Sequence, residues 1–102
     1  MRIRLSILTS WKGFLPVKII DLLSCGQSNA VSLRELEGIT GLDGRTVRAM
    51  ISAERRAGAA ILSDNVTGYY LPANKEEKAR FVRSMRHRAQ EILSAADAVE
   101  RS

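Results

Sequence analysis

Four arginines lie within residues 40–58, which read TGLDGRTVRAMISAERRAG. A guanidinium carries a permanent positive charge and a planar fork of donors, so it can contact a phosphate or pair with guanine through two hydrogen bonds. Arginines are also common on helix faces that are merely solvated. The elements that position the four side chains decide between these two interpretations.

The residues that catalysis or metal binding would need are nearly absent. Cys25 is the only cysteine and His87 the only histidine, so a disulfide or a histidine–cysteine metal site lacks ligands. No glycine-rich phosphate-binding loop occurs in the sequence. We expect Cys25 to be a buried, unreactive thiol near a helix end, and we expect no enzymatic activity, no cofactor and no metal.

Composition favours a single small domain with an anionic partner. The chain has 102 residues, of which 45% are hydrophobic, and a formal net charge of +5. Residues 32–72 carry five basic and five acidic side chains, so an anion-binding surface there requires the two signs to lie on different faces. No apolar run is long enough to cross a membrane and no signal-peptide pattern opens the chain, so we expect a cytoplasmic protein that does not contact membranes.

Hydrophobic periodicity predicts the first elements of the chain. Alternation of Ile3, Leu5 and Ile7 with polar residues favours a strand or arm within residues 1–15, although a short helix also suits so few residues. The proline at position 16 and the apolar stripe after it predict a helix over 16–24.

A pair of helices joined by a tight turn is predicted next. Ser32 with Glu35 forms a capping-box pattern, which opens the first helix of the pair. Gly41 ends that helix, and Asp43 can accept hydrogen bonds from the first free amides of the second helix, over about 44–57.

Two short strands, 59–64 and 68–72, are predicted after the helix pair, with turn residues between them. Helix, capped helix, tight turn, basic helix and hairpin follow one another in the order of a winged helix-turn-helix. The sequence therefore predicts a mainly α fold with a small β-hairpin: a winged helix-turn-helix domain over 1–73 and a long C-terminal helix over 74–102.

One side of the basic helix is apolar and the opposite side is cationic. Val47, Met50 and Ile51 cluster on the first side and are expected to pack inward. The N-terminal half of such a helix enters the major groove, whereas Arg55 and Arg56 lie further along and suit phosphates. The predicted contacts to double-stranded DNA are Arg45, Thr46, Arg48, Ala49, Ser52, Arg55 and Arg56.

Two acidic residues fit a DNA-binding surface poorly. Glu54 falls on the inward side of the basic helix and is expected to pair with an arginine such as Arg34. Asp64 lies in the hairpin turn SDNVTG, which has no lysine or arginine and so makes a poor phosphate clamp. The neutral charge of residues 32–72 and the acidic turn support an alternative function, a protein-interaction adaptor that uses a winged helix.

The C-terminal helix is predicted to span about 40 Å at the usual rise per residue. Asn74 with Glu77 opens it, and nothing interrupts it afterwards. Apolar residues at alternating spacings of three and four predict packing on the domain, pairing with a second copy, or both. The candidate homodimer residues are Met85, Ala89, Ile92, Ala96 and Val99.

Several short motifs within residues 29–89 occur together: N-A-V-S, L-x-x-x-T-G-L, R-x-V-R-x-x-I, G-Y-Y-L and the basic run R-x-M-R-x-R-A. In this combination the chain resembles the small winged helix-turn-helix DNA-binding proteins encoded in prophages and mobile elements of Firmicutes. The resemblance implies a regulatory or replication-linked phage protein; for the alternative adaptor it implies a role in phage replication or assembly. It points to Arg45 and Arg48 as contacts and to Val47 and Ile51 as core residues.

Overall fold

The computed structural model describes residues 18–102 of the chain. Its elements are α1 (Leu33–Thr40), α2 (Gly44–Arg56), β1 (Leu62–Asp64), β2 (Gly68–Tyr70) and α3 (Lys75–Arg101). The described chain is mainly helical with one two-stranded antiparallel hairpin, which confirms the predicted fold class at that level. The strand or arm predicted within residues 1–15 lies outside the described residues, as does the start of the helix predicted over 16–24.

The described part of the helix predicted over 16–24 is a 3₁₀ helix, Ile19–Leu22, and not an α-helix. Lys18 and Leu23, which flank it, both have extended backbone conformations. The amide of Leu71 donates to the carbonyl of Ser24 at 2.9 Å, so the chain leaves the turn to pair with the segment that follows the hairpin. The prediction was therefore wrong here, because long-range pairing competes with the local helical pattern.

Glu54 of α2 also helps to fix this 3₁₀ helix. Its two carboxylate oxygens accept hydrogen bonds from the amides of Ile19 at 2.8 Å and Ile20 at 3.0 Å. These amides lack partners within the turn, so the carboxylate caps it. The predicted pairing of Glu54 with Arg34 was wrong, because the carboxylate is occupied by backbone donors.

The turn between α1 and α2 follows from the predicted caps. The side chain of Ser32 accepts from the amide of Glu35 at 3.1 Å, and the Glu35 carboxylate accepts from the Ser32 amide at 2.9 Å. Gly41 ends α1 in a left-handed conformation with φ of 75°, where a side chain would be strained. Asp43 then caps α2 by accepting from the amide of Thr46 at 2.8 Å. The capping box and both caps are confirmed.

The hairpin pairs Leu62 with Tyr70 and Asp64 with Gly68, and it is joined to the chain before α1. Val31 and Tyr69 exchange two backbone hydrogen bonds of 2.8 Å each, so Val31 extends the hairpin by one residue pair. The strands are shorter than the predicted 59–64 and 68–72. This pairing holds the hairpin against the helices at a fixed position.

The core lies between α1, α2, the 3₁₀ helix Ile19–Leu22 and the start of β1. Val47 and Ile51 of α2 are buried as predicted, and Met50 is partly buried beside them. Burying side chains of this size contributes roughly 1.5–3 kcal/mol each. The buried hydrophobic residues are Ile19, Leu23, Leu36, Val47, Ile51, Ile61, Leu62 and Tyr70.

Helix α3 is 27 residues long and has no buried residue. Its first half contacts the hairpin side of the domain, where Phe81 and Val82 are partly buried. Every residue from 83 to 102 is exposed, so the second half projects away from the domain. The predicted cap is confirmed: Asn74 accepts from the amide of Glu77 at 2.8 Å. None of the helices in the described residues is long and apolar enough to cross a membrane.

Candidate nucleic-acid interface

The outward face of α2 is formed by side chains that point away from the core. Gly44, Val47 and Ile51 are buried on the opposite side, which fixes the rotation of the helix about its axis. We call the exposed set the outward face of α2; it comprises Arg45, Thr46, Arg48, Ala49, Ser52 and Arg56. Six of the seven residues predicted to contact DNA therefore share one exposed surface.

The arginines of this face are not neutralised by acidic side chains within the described chain. Between residues 18 and 102 the single ion pair joins His87 and Glu91 on α3, with 3.4 Å between nitrogen and oxygen. Arg45, Arg48 and Arg56 have no carboxylate at ion-pair distance among these residues. The face therefore presents to solvent a positive charge that no carboxylate within residues 18–102 neutralises.

Arg56 is held near Ser52 at the C-terminal end of the outward face. Its Nη1 donates to the Ser52 hydroxyl at 2.7 Å, one helical turn away. This bond uses one of the five donors of a guanidinium, so further donors are free to bind an anion. The contact orients Arg56 along the helix surface instead of leaving it to move freely.

Arg55, the seventh predicted contact, points into the fold. Its Nε donates to the carbonyl of Ile61 at 2.7 Å and its Nη2 to the hydroxyl of Ser63 at 3.1 Å. The guanidinium carbon also lies 5.0 Å from the centre of the Phe81 ring. Desolvation lowers the pKa of Arg55 from its ordinary value, although the side chain stays charged. Arg55 thus joins α2, β1 and α3, and we leave it out of the candidate interface.

The N-terminus of α2 is occupied by its own cap. Asp43 accepts from the backbone and side chain of Thr46, and these hydrogen bonds lower the pKa of the Asp43 carboxyl. A helix N-terminus can bind an anion through free amides, but here the carboxylate takes that place. An anion that approaches this end must therefore be bound by side chains such as Arg45 and Arg48.

The polar groups of the hairpin turn bond to one another and to Gln27. The Asp64 carboxylate accepts from the amides of Val66 at 2.8 Å and Thr67 at 2.6 Å, from the Thr67 hydroxyl and from the side-chain amide of Gln27. The bonds from Thr67 are the main reason why the pKa of Asp64 lies well below its ordinary value. Val66 at the tip is 90% exposed. The turn therefore has no cation to bind phosphate, and its one charge is negative.

Other candidate chemical groups do not form a site. Cys25 is exposed, so the expectation of a buried thiol was wrong; its neighbours Ser24 and Gly26 pair with Leu71, which holds this segment at the surface. Over the described range 18–102, no cluster of histidine, cysteine and acidic side chains could hold a metal ion.

Sequence reasoning missed two polar contacts between distant parts of the domain. They are the cap that Glu54 provides for the amides of Ile19 and Ile20, and the bond from Gln27 to Asp64. Each joins residues more than thirty positions apart, so no local pattern could have signalled it.

No protein-family model, no curated protein and no solved structure matches this chain. The outward face of α2 must therefore be interpreted from its own geometry and charge.

Proposed function

We propose that this protein is a winged helix-turn-helix that binds double-stranded DNA through the outward face of α2. In this assignment α1 and α2 are the helix-turn-helix, α2 is the recognition helix, and β1 and β2 form the wing. The observation that supports it most is the exposed, unneutralised row of Arg45, Arg48 and Arg56 opposite a buried apolar face. The biological role that we propose is that of a phage-type transcriptional regulator.

Arg45 and Arg48 are proposed to read bases. They are three positions apart and so lie on the same side of the helix, about one turn from each other. Each can pair with guanine through its O6 and N7 atoms, and a major groove about 12 Å wide accepts a helix. Ala49 lies beside them and is small and exposed, which lets the backbone come close to the bases.

Ser52 and Arg56 are proposed to contact the DNA backbone. They lie towards the C-terminal end of α2, and their hydrogen bond presents them together. Phosphate contacts orient a protein on the duplex without reading sequence. The removal of Arg56 is therefore expected to weaken binding to all duplexes by a similar factor.

The hairpin has no phosphate-binding role in this proposal. The Asp64 carboxylate is negative and accepts hydrogen bonds from Val66, Thr67 and Gln27. The turn would therefore repel a phosphate, and it has no lysine or arginine to bind one. The wing instead fixes α2 through Arg55, which bonds to Ile61 and Ser63 of the adjacent strand segment.

The alternative function, a protein-interaction adaptor, is favoured by the acidic hairpin turn and by exposed apolar side chains. Val66 at the hairpin tip is 90% exposed and Ile39 of α1 is 59% exposed, so apolar side chains lie at the surface of the domain. Exposed apolar residues of this kind are more often scattered than functional. The cationic outward face of α2, with six exposed residues on one side of a single helix, has no evident use in this alternative.

Fluorescence anisotropy with a labelled random-sequence duplex at low salt tests the proposal. We expect binding whose affinity falls steeply as salt is added, because bound phosphates release counterions. Selection from a pool of random duplexes is then expected to enrich a defined site. Arg101→Ala, which removes one charge from the far end of α3, serves as the control and is expected to bind like the unaltered protein. Absence of affinity for any duplex at low salt would overturn the proposal and favour the adaptor.

A further inference from the structure

We propose that α3 pairs with α3 of a second copy of this chain in an antiparallel orientation, through the part of the helix that projects from the domain. We call residues 83–101 the free part of α3. The proposal concerns self-association alone and does not depend on DNA binding.

The free part carries an apolar stripe that the domain covers only at its start, where Met85 lines a shallow cavity with Ile61 and Leu62. Met85 is 40% exposed, Ile92 64%, Leu93 59% and Val99 73%. Val82, one turn before Met85, is partly buried against the domain, so one continuous stripe changes from covered to uncovered along the helix. Large apolar side chains that stay this exposed on a helix are typical of a surface with a partner.

The sizes of the stripe residues alternate along the helix. Heptad spacing places Met85, Ile92 and Val99 in one class of core position, called d, and Ala89 and Ala96 in the other, called a. The d positions are all large and the a positions are both alanine. A partner must therefore place large side chains opposite alanines for the layers to fill.

An antiparallel pair does this, whereas a parallel pair does not. In antiparallel helices an a position faces a d position of the other chain. The register that gives each of the two most exposed d residues an alanine places Ile92 opposite Ala96 and Val99 opposite Ala89 of the second copy. A parallel pair aligns each residue with its own copy, so Ala89 would face Ala89 and leave a gap. Tight packing of the layers thus favours the antiparallel orientation.

The same alignment defines specific contacts beside the core. Arg86, Leu93 and Glu100 share the heptad position next to d, called e, and e positions face one another in antiparallel pairs. With Ile92 opposite Ala96, Arg86 lies beside Glu100 of the second copy, and Leu93 lies beside its own equivalent. The pair therefore has two equivalent ion pairs around a central leucine contact.

Charge exchange tests the orientation. Arg86→Glu and Glu100→Arg each place like charges beside one another, and each is expected to weaken dimerisation about tenfold at low salt. The double variant Arg86→Glu/Glu100→Arg is expected to recover most of the loss. Within one helix these residues lie about 21 Å apart, so recovery requires contact between copies. Arg83→Glu, on the outer side of the helix, is the matched control and should dimerise like the unaltered protein.

The measurement is sedimentation equilibrium of the full chain over a wide range of concentration, with circular dichroism to check that α3 stays helical. A monomer at every concentration that can be reached overturns the proposal. Loss in both single variants without recovery in the double variant overturns the antiparallel alignment.

Cysteine cross-linking provides an independent test. In a Cys25→Ser background, Leu93→Cys is expected to form a disulfide-linked dimer under mild oxidation, because its equivalent lies beside it. Ser94→Cys, which points to the outer side of the pair, should not. Cross-linking through Ile92→Cys but not through Leu93→Cys would indicate a parallel pair and contradict the proposal.

Discussion

The outward face of α2 and the hairpin turn after β1 differ in what they do with their charged groups. On α2, Arg45, Arg48 and Arg56 are exposed and have no acidic partner within residues 18–102. In the turn, the Asp64 carboxylate accepts hydrogen bonds from Val66, Thr67 and Gln27. The outward face of α2 leaves its charges exposed to solvent, whereas the charge of the hairpin turn stabilises the turn through hydrogen bonds.

This difference separates binding from stability in one small domain. Changes on the outward face of α2 should alter affinity for DNA and leave the free energy of unfolding nearly unchanged. Changes in the hairpin should lower the free energy of unfolding and leave the affinity for DNA nearly unchanged. Arg55 is the informative case. It lies in α2, but its side chain bonds to residues at the start of the hairpin.

The largest expected effect is that of Gly68→Ala in the hairpin. Gly68 has φ of 120°, and a Cβ atom there would lie 2.3 Å from the backbone oxygen of Val31. Backbone strain and this clash together should lower the free energy of unfolding by on the order of 3 kcal/mol. Gly38→Ala is the control, because a Cβ on Gly38 meets nothing within 4 Å and the site is helical. Urea unfolding measures both; equal midpoints would contradict the role assigned to Gly68.

Arg55→Ala should have the next largest effect, also on stability. It removes the bonds to Ile61 and Ser63 and the contact with Phe81, and such charged hydrogen bonds are worth about 2 kcal/mol together. Arg56→Ala on the same helix should change stability by less than about 0.5 kcal/mol. Thermal melting of the two variants tests the comparison directly. If both variants lost the same stability, the assignment of Arg55 to the hairpin contacts and of Arg56 to the outward face would be wrong.

Arg56→Ala should lower the affinity for DNA, and the loss should be several-fold and similar for every duplex. Loss of one phosphate contact reduces the slope of log K against log salt concentration by about 0.9. Titrations of a chosen and a random duplex at several salt concentrations measure this slope. If Arg56→Ala weakened only the chosen duplex, Arg56 would be a base-reading residue and its assignment to phosphate would be wrong.

The smallest expected effect is a pH dependence that arises from Asp64. Its pKa is lower in the folded state than in the unfolded chain, so its contribution to stability is complete above the ordinary carboxyl pKa of about 4. The contribution is lost as pH falls from there towards the folded pKa. Asp64→Asn should therefore flatten the fall in melting temperature below about pH 4, with the smaller effect of Asp43 remaining. An unchanged acid profile would mean that the turn does not depend on the carboxylate.

The elements around the outward face could be predicted because their signals are local. The caps Ser32, Asp43 and Asn74 each act within three residues, and the structure shows all three as predicted. The inward side of α2 also follows from local periodicity, since Val47 and Ile51 alone fix its rotation. Exposure of Arg45 and Arg48 then follows without any knowledge of the rest of the chain.

The remaining features depend on contacts between distant residues. The 3₁₀ helix at Ile19–Leu22 is capped by Glu54, and Arg55 is held by a carbonyl that reaches it only after the chain reverses at Gly58. A helical wheel places Arg55 near the flank of α2, where solvent, phosphate and protein are all possible partners. Its partner is decided by the position of the hairpin, which periodicity does not encode.

The most direct test of the account compares the unaltered protein with the double variant Arg45→Ala/Arg48→Ala. Affinities for a selected duplex and a random duplex are measured by anisotropy, together with melting temperature. We predict that the double variant loses at least about tenfold of its preference for the selected duplex and melts within a few degrees of the unaltered protein. If the double variant folds normally and keeps the full preference, the outward face of α2 does not read DNA.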